Sequence, residues 1–295
     1  MLTNGGPKFV GNLSPDDVTL VLTPETDTVT AGLTIREIDP TSLLKLLGNV
    51  LNVKATQYEF GYGGSDPADY LDDNTFSASA NPEGTVTEWR WVIFKHTTPV
   101  DVEGRFVSGS PALPNGLCTD CDFIKYGTWG AALTSQQNPN QSQTLGGWWV
   151  AGDITTASQL DQLANTHVGI ANYAGKAVGD VFSKSGGTWT QSIETGDMTM
   201  SWDFADRKGQ LNINNFDGRN FGGEMCGKSS CLKGNNHFAG SLRQTDGLGG
   251  ANRLNGAAAG SFVNKGSIPA GGVIGNFGVG NNNWKASGIW GGARP

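Results

Sequence analysis

Four cysteines stand in two close pairs, Cys118-x-x-Cys121 and Cys226-x4-Cys231, each bridging a loop of small polar residues. Thiols at such spacings do one of three kinds of chemistry. In an oxidising compartment each pair closes a local disulfide, the preferred reading. Four thiolates together would hold zinc, although the second pair sits at the wide end of the usual ligand spacing. A redox dithiol needs a helix after the first pair to lower a thiol pKa, and nothing after Cys121 reads as one.

Other groups with chemical potential are scattered. His96, His167 and His237 fall at a strand end, a loop and a strand start, and read first as polar surface residues, with a haem or metal ligand among them as the alternative. Asp66, Asp69, Asp72, Asp73 and Asn74 surround Tyr70, but their spacing fits no calcium loop, so a solvated acidic turn is expected. Glu194 and Asp197 are candidates for a glycosidase pair, yet they read as flanking a hairpin turn at Gly196. No Gly-x-Ser-x-Gly, His-Glu-x-x-His, phosphate loop or dinucleotide fingerprint occurs. The expectation is therefore no catalytic residue, metal or cofactor, and an activity of recognition rather than turnover.

Recognition directs attention to aromatics. Trp148-Trp149 places one indole on each face of a strand, and Tyr58, Tyr62 and Tyr126 lie in or near other strand segments, so these five are the candidate interface anchors. The chain carries 20 Lys+Arg against 27 Asp+Glu, a formal charge of −7, with no basic run to follow a phosphate backbone. Nucleic acid is thus an unfavoured partner. No stretch approaches the ~18 apolar residues of a spanning helix. A protein partner or copies of the chain itself remain, and weak like-charge repulsion would permit a homo-oligomer or fibre.

The elements that must position these residues are strands. Glycine supplies 44 of 295 residues, about twice the usual share of ~7%, and suits tight turns far better than helices. Before residue 117, alternating segments such as Val18-Thr-Leu-Val-Leu22, Thr56-Gln-Tyr-Glu-Phe60 and Thr85-Val-Thr-Glu-Trp89 read as strands. Leu43, Leu44, Leu46 and Leu47 repeat at helical spacing between Asp39-Pro40 and Gly48-Asn49, predicting one short helix. Ser108–Gly116, with two prolines and an Asn-Gly turn, marks a domain change, giving a β-rich domain over 1–116 and a second domain over 117–295.

The second domain reads as hairpin after hairpin, with strands at roughly 122–133, 146–152, 170–183, 197–205, 209–216, 219–225, 236–243, 257–263, 271–277 and 284–291. Alternation in Met198-Thr-Met-Ser-Trp-Asp-Phe204 predicts Trp202 and Phe204 on a buried face and Asp203 outside. An aromatic-then-glycine signature recurs in Phe221-Gly-Gly, Phe238-Ala-Gly, Phe277-Gly and Trp290-Gly-Gly, as where a ring covers a bare cross-strand glycine. Ala157–Leu163 is the single plausible helical turn, in a connection. The fold expected is all-β, an antiparallel barrel of about eight strands over 118–292, which removes sheet edges.

Those residues carry a resemblance. Cys118-Thr-Asp-Cys121-Asp-Phe-Ile-Lys-Tyr-Gly127, Gly147-Trp-Trp-Val-Ala-Gly152, Ala171-Asn-Tyr-Ala-Gly175, Asn215-Phe-Asp-Gly218 and Ala286-Ser-Gly-Ile-Trp-Gly-Gly292 resemble the carboxy-terminal β-barrel of bacterial FecR-domain proteins. That barrel is similar in turn to the lobe barrel of transferrin-binding protein B-like surface lipoproteins. The resemblance implies a secreted or surface-displayed protein that binds a macromolecular or small ligand, with residues 1–116 in the place of a handle domain. Two features depart from it: the amino-terminal half carries no FecR-type signature, and no lipobox cysteine stands near Met1. The ligand varies in the family, so no substrate follows.

Overall fold

The computed structural model describes residues 18–23, 28–38, 53–62, 79–80, 83–90, 94–119, 121–135, 142–166, 169–227, 236–247 and 253–295, with side chains for 109–119, 121–128, 146–166 and the described residues from 169 onward. Two units emerge, Met1–Ser108 with Thr128–Gly147, and Gly109–Gly127 with Trp148–Pro295. The short helix expected over 40–48 lies outside the described residues.

The first unit holds β1 (Val18–Thr23), β2 (Thr28–Ile38), β3 (Val53–Tyr62), β4 (Ser79–Ala80), β5 (Glu83–Arg90) and β6 (Phe94–Ser108). With β7 (Ile124–Ser135) and β8 (Ser142–Gly152) they form one sheet in the order β1-β2-β3-β5-β6-β7-β8, with β4 on β6. Pairing is antiparallel where the register is defined, as in Val18↔Leu33 and Ile35↔Thr56.

The second unit contains a closed barrel of β9 (Ile170–Ser185), β10 (Thr188–Asp203), β11 (Lys208–Phe216), β12 (Arg219–Cys226), β13 (His237–Gln244), β14 (Asn255–Lys265), β15 (Ile268–Gly280) and β16 (Trp284–Ala293). Each strand pairs antiparallel with the next, and β16 closes on β9. The barrel therefore begins at Ile170, not near 118. The segments expected as its first two strands, β7 and β8, are joined to the preceding sheet instead, because the meander that starts at β9 already supplies eight strands.

Two-residue turns with positive φ set the register. Gly186-Gly187 (57° and 89°) joins β9 to β10, and Asp217-Gly218 (50° and 68°) joins β11 to β12, a backbone hand that matches strand twist. Gly196 is a correction. It lies mid-strand in β10, paired with Ala177, so there is no turn for Glu194 and Asp197 to flank. A Cβ at Gly196 would sit 2.7 Å from the Asn214 carbonyl and 3.0 Å from Cβ of Phe216, so the glycine serves close packing.

Eight strands make a barrel that side chains can fill. Tyr173, Met198, Met200, Trp202, Phe204, Leu211, Phe216, Phe221, Phe238, Phe262, Phe277 and Trp290 point inward and are buried. Trp202 meets Phe238 and Phe262 at ring separations of 5.1 Å, and Phe216 meets Phe277 edge-on at 5.1 Å. Trp290 is admitted by glycine: a Cβ at Gly260 would lie 2.7 Å from its ring, and Gly275 opposite it is equally occupied. As alternation requires, Trp202 and Phe204 are inside, while Asp203 turns out and its Oδ1 accepts from the Ala205 and Asp206 amides.

Helix α1 (Ala157–Asn165) lies in the connection where a helical turn is expected. Thr156 caps it: the Gln159 amide donates to the Thr156 hydroxyl, and Gln159 Oε1 accepts from the Thr156 amide at 2.9 Å, satisfying donors that the first turn leaves open. Leu160, Leu163 and Ala164 pack on the barrel core, and Asp161 pairs with Arg207 of the β10–β11 turn. Nearby, Tyr173 donates to the Ala270 carbonyl at 2.9 Å under the Arg294 guanidinium. Burial pushes the Tyr173 hydroxyl up to about 12, with Arg294 pulling the other way.

Candidate binding surface

Side chains fill the interior, and the outside of the barrel has two distinct walls. On one, Val178, Val263, Ile274 and Ile289 of β9, β14, β15 and β16 point outward and are buried under Leu113, Leu117, Ile124 and Tyr126, with Phe123, Trp148, Val150 and Ile154 packed alongside. Backbone bonds fix this cover: Asn264 donates to the Asp153 carbonyl at 2.7 Å, and Ile154 bridges Val263.

A disulfide between Cys118 and Cys121, with Cα atoms 5.4 Å apart, closes the loop of the cover and packs on the same cluster. Thiolates joined in this way cannot serve as zinc ligands. Cys226, at the end of β12, is disulfide-bonded too, while Cys231 lies outside the described residues. Among the described residues no three His, Cys, Asp or Glu side chains converge as a metal site.

From Asp197 onward in β10 and across β11 the outward side chains are polar. Thr199 faces Asn212, Ser201 faces Gln210, Asp197 faces Asn214, and Gln210 faces Glu224 on the next strand. Lys176 pairs with Asp197, and Lys208 approaches Glu224 at 3.9 Å. Apolar inside and polar outside is the reverse of a membrane barrel. Among the described residues no helix is long and apolar enough to cross a membrane.

Between the walls, β9, β10 and β16 present a third kind of surface. Trp189 of β10 faces Lys184 of β9 directly across the ladder, and Gln191 faces Phe182, which faces Lys285 of β16. The Lys184 and Lys285 ammonium groups lie 5.8 and 5.6 Å from the centre of the Trp189 ring. Ile193, on the same face by the two-residue period, is 50% exposed. Below it Asp180 accepts from the Gln191 amide at 2.8 Å and from the Trp148 indole N–H at 2.9 Å.

The aromatics singled out from sequence fare differently. Tyr126 is buried in the cover, its hydroxyl donates to the Leu113 carbonyl at 2.8 Å, and burial raises its pKa. Trp149 is buried at 7% exposure. Trp148 is half-buried and held by Asp180. Packing within the unit thus takes up Tyr126 and Trp149 and leaves part of Trp148 open. Tyr58 and Tyr62 lie on β3, on one strand face by their even spacing; their side chains are outside the described residues.

His96 lies on β6 opposite Glu88, and His167 and the Asp66–Asn74 cluster fall outside the described residues. His237 opens β13 and its Nδ1 meets the Ser261 hydroxyl at 2.6 Å, a cross-strand pair. Glu194 and Asp197 are three apart in one continuous strand and so face opposite sides, which excludes a carboxylate pair. Phe182, Lys184, Trp189, Ile193 and Lys285 were missed because they come from three strands. One signal was legible: a two-residue Gly-Gly turn forces Lys184 and Trp189 to be partners.

No protein-family model matches the chain, so the FecR-domain resemblance rests on the quoted residues alone. No curated protein matches either. Among solved structures the chain is similar to intact Ap-TbpB with its N and C lobes, at 10% identity over 99% of this chain and 74% of that one, TM-score 0.39. Transferrin-binding protein B from Haemophilus parasuis is 11% identical over 96% and 67%, TM-score 0.37. The haemoglobin receptor HpuA from Kingella denitrificans is 14% identical over 98% and 90%, TM-score 0.35. Likeness at this level transfers neither membership nor ligand.

Proposed function

We propose that this is a non-enzymatic binding protein, secreted or displayed on the cell surface, that engages a macromolecular partner with the outside of its barrel. The observation that carries the reading is the interior: aromatic and aliphatic side chains fill it, so the surface available for recognition is outside. The Cys118–Cys121 disulfide supports an oxidising location. A photo-cross-linking residue at Gln191 or Thr199 of the displayed protein is expected to capture a discrete partner, and one at buried Ile289 to capture none. A turnover assay that responds to substitution of Glu194, Asp197 or His237 in the intact fold would overturn it.

A second reading, a self-assembling structural subunit, draws on β1. Val18–Thr23 carries no charge, pairs with β2 and ends the described sheet, so a strand from another copy would add there. Light scattering of the native particle separates the two: the binder gives the 31.0 kDa monomer, and the subunit a far heavier polymer.

A further inference from the structure

The surface around Trp189 brings together two lysines, an indole and exposed apolar area. Two ammonium groups flank one indole, and neither Lys184 nor Lys285 forms an ion pair among the described residues. Like charges brought to one ring repel, and Asp180 on the same face is engaged by Trp148 and Gln191 and forms no ion pair with either lysine among the described residues. A carboxylate on either lysine offsets that repulsion. Beside them Phe182 and the half-exposed Ile193 offer apolar area to a side chain, not to water.

We infer that this face of β9, β10 and β16 docks an acidic segment of a partner protein, its carboxylates on Lys184 and Lys285 and an apolar residue against Phe182 and Ile193. The inference deepens the binding reading and rests on it. A protein segment fits better than an acidic glycan because the indole face that a sugar ring would stack on already carries the lysines. The apolar residues also lie two and four positions along β10 and its neighbour, the stride of an extended chain. Trp189 has a positioning role, holding both ammonium groups where the carboxylates meet them.

The test uses the fluorescein-labelled peptide Asp-Glu-Asp-Leu-Glu-Phe-Asp-Glu-Asn, an acidic sequence with apolar residues that does not occur in this chain, titrated into the full-length protein and followed by anisotropy. Saturable binding that weakens with salt is expected. Lys184→Glu/Lys285→Glu should lower affinity roughly tenfold or more, and Trp189→Ala by a similar factor. The milder Lys184→Gln/Lys285→Gln removes the charge without reversing it and guards against a folding artefact, with an unchanged urea midpoint as the control. Binding of a heparin fragment in place of the peptide, indifference of peptide affinity to these variants, or salt-sensitive self-association in sedimentation, which would make the occupant a second copy, would each overturn the inference. If the peptide fails while cross-linking at Thr199 still captures a partner, the docking site falls and the binding reading stands.

Discussion

The covered and the open walls of the barrel are built from the same meander, yet they present opposite outward chemistry. Val178, Val263, Ile274 and Ile289 point out of β9 and β14–β16 and are buried; Thr199, Ser201, Gln210 and Asn212 point out of β10 and β11 into water. The inner faces are alike, so barrel closure does not dictate the difference. What sits on the outside does. Outward residues of a filled barrel thus record what else the chain must bury, and the face around Trp189 belongs to neither pattern.

The sharpest way to break this comparison is to place the same residue on both walls. Ile289→Asp leaves an unpaired carboxylate beneath Leu117 and Ile124 and should destabilise by roughly 3–5 kcal/mol. Asn212→Asp should change stability by no more than about 0.5 kcal/mol. Urea midpoints of the two variants check it; equal effects would mean that the apolar wall is not covered in solution.

The next effect belongs to the core. Tyr173 has its folded pKa raised to about 12 against the ordinary 10, so the folded state holds the phenolic proton more tightly than the unfolded chain. That stabilisation is fully present below pH 10 and is lost as pH rises from 10 to 12, an amount of about 2–3 kcal/mol. Tyr173→Phe should be less stable at pH 8, lacking the bond to Ala270, and flatter above pH 10. Parallel urea titrations at pH 8, 10 and 11 distinguish the two curves.

A smaller loss is expected from the cover itself. Replacing Cys118 and Cys121 by serine opens a very short loop, worth about 2 kcal/mol in the chain-entropy model. The cover should then admit protease between 109 and 127 before the barrel is cut, and bind a hydrophobic dye on the uncovered wall. Cleavage within β9–β16 first would show that the disulfide supports the barrel rather than its cover.

How much of this was readable depends on how many strands a feature joins. Met198–Phe204 alternates and was readable from one strand; Asp217-Gly218 and the Thr156–Gln159 cap needed only local chemistry. The pairing of Gly275 with Trp290 was readable in kind, as a ring over a glycine, but not in partner. Gly196 misled because glycine marks both turns and close packing, and only Phe216, twenty residues on, decides which. The covered wall was not legible, since β15 is apolar on both faces and alternation is silent there. The Trp189 surface needed β16 beside β9, a closure between segments about a hundred residues apart.

Trp148 stands at the border of the two regions and gives the finest test. Its ring packs with the covered cluster, while its indole N–H donates to Asp180, whose other oxygen accepts from Gln191 on the exposed side. Trp148→Phe keeps most of the ring contact and removes only the donor, so the expected cost is about 1 kcal/mol, partly solvated as Asp180 is. Asp180→Ala removes the acceptor and also strands Gln191, so it should cost somewhat more, and the double variant little more than Asp180→Ala alone, because the bond to Trp148 is shared. Additive costs would mean that Trp148 and Asp180 act independently. The border between the walls would then be set by packing alone, with the hydrogen bond across it contributing nothing.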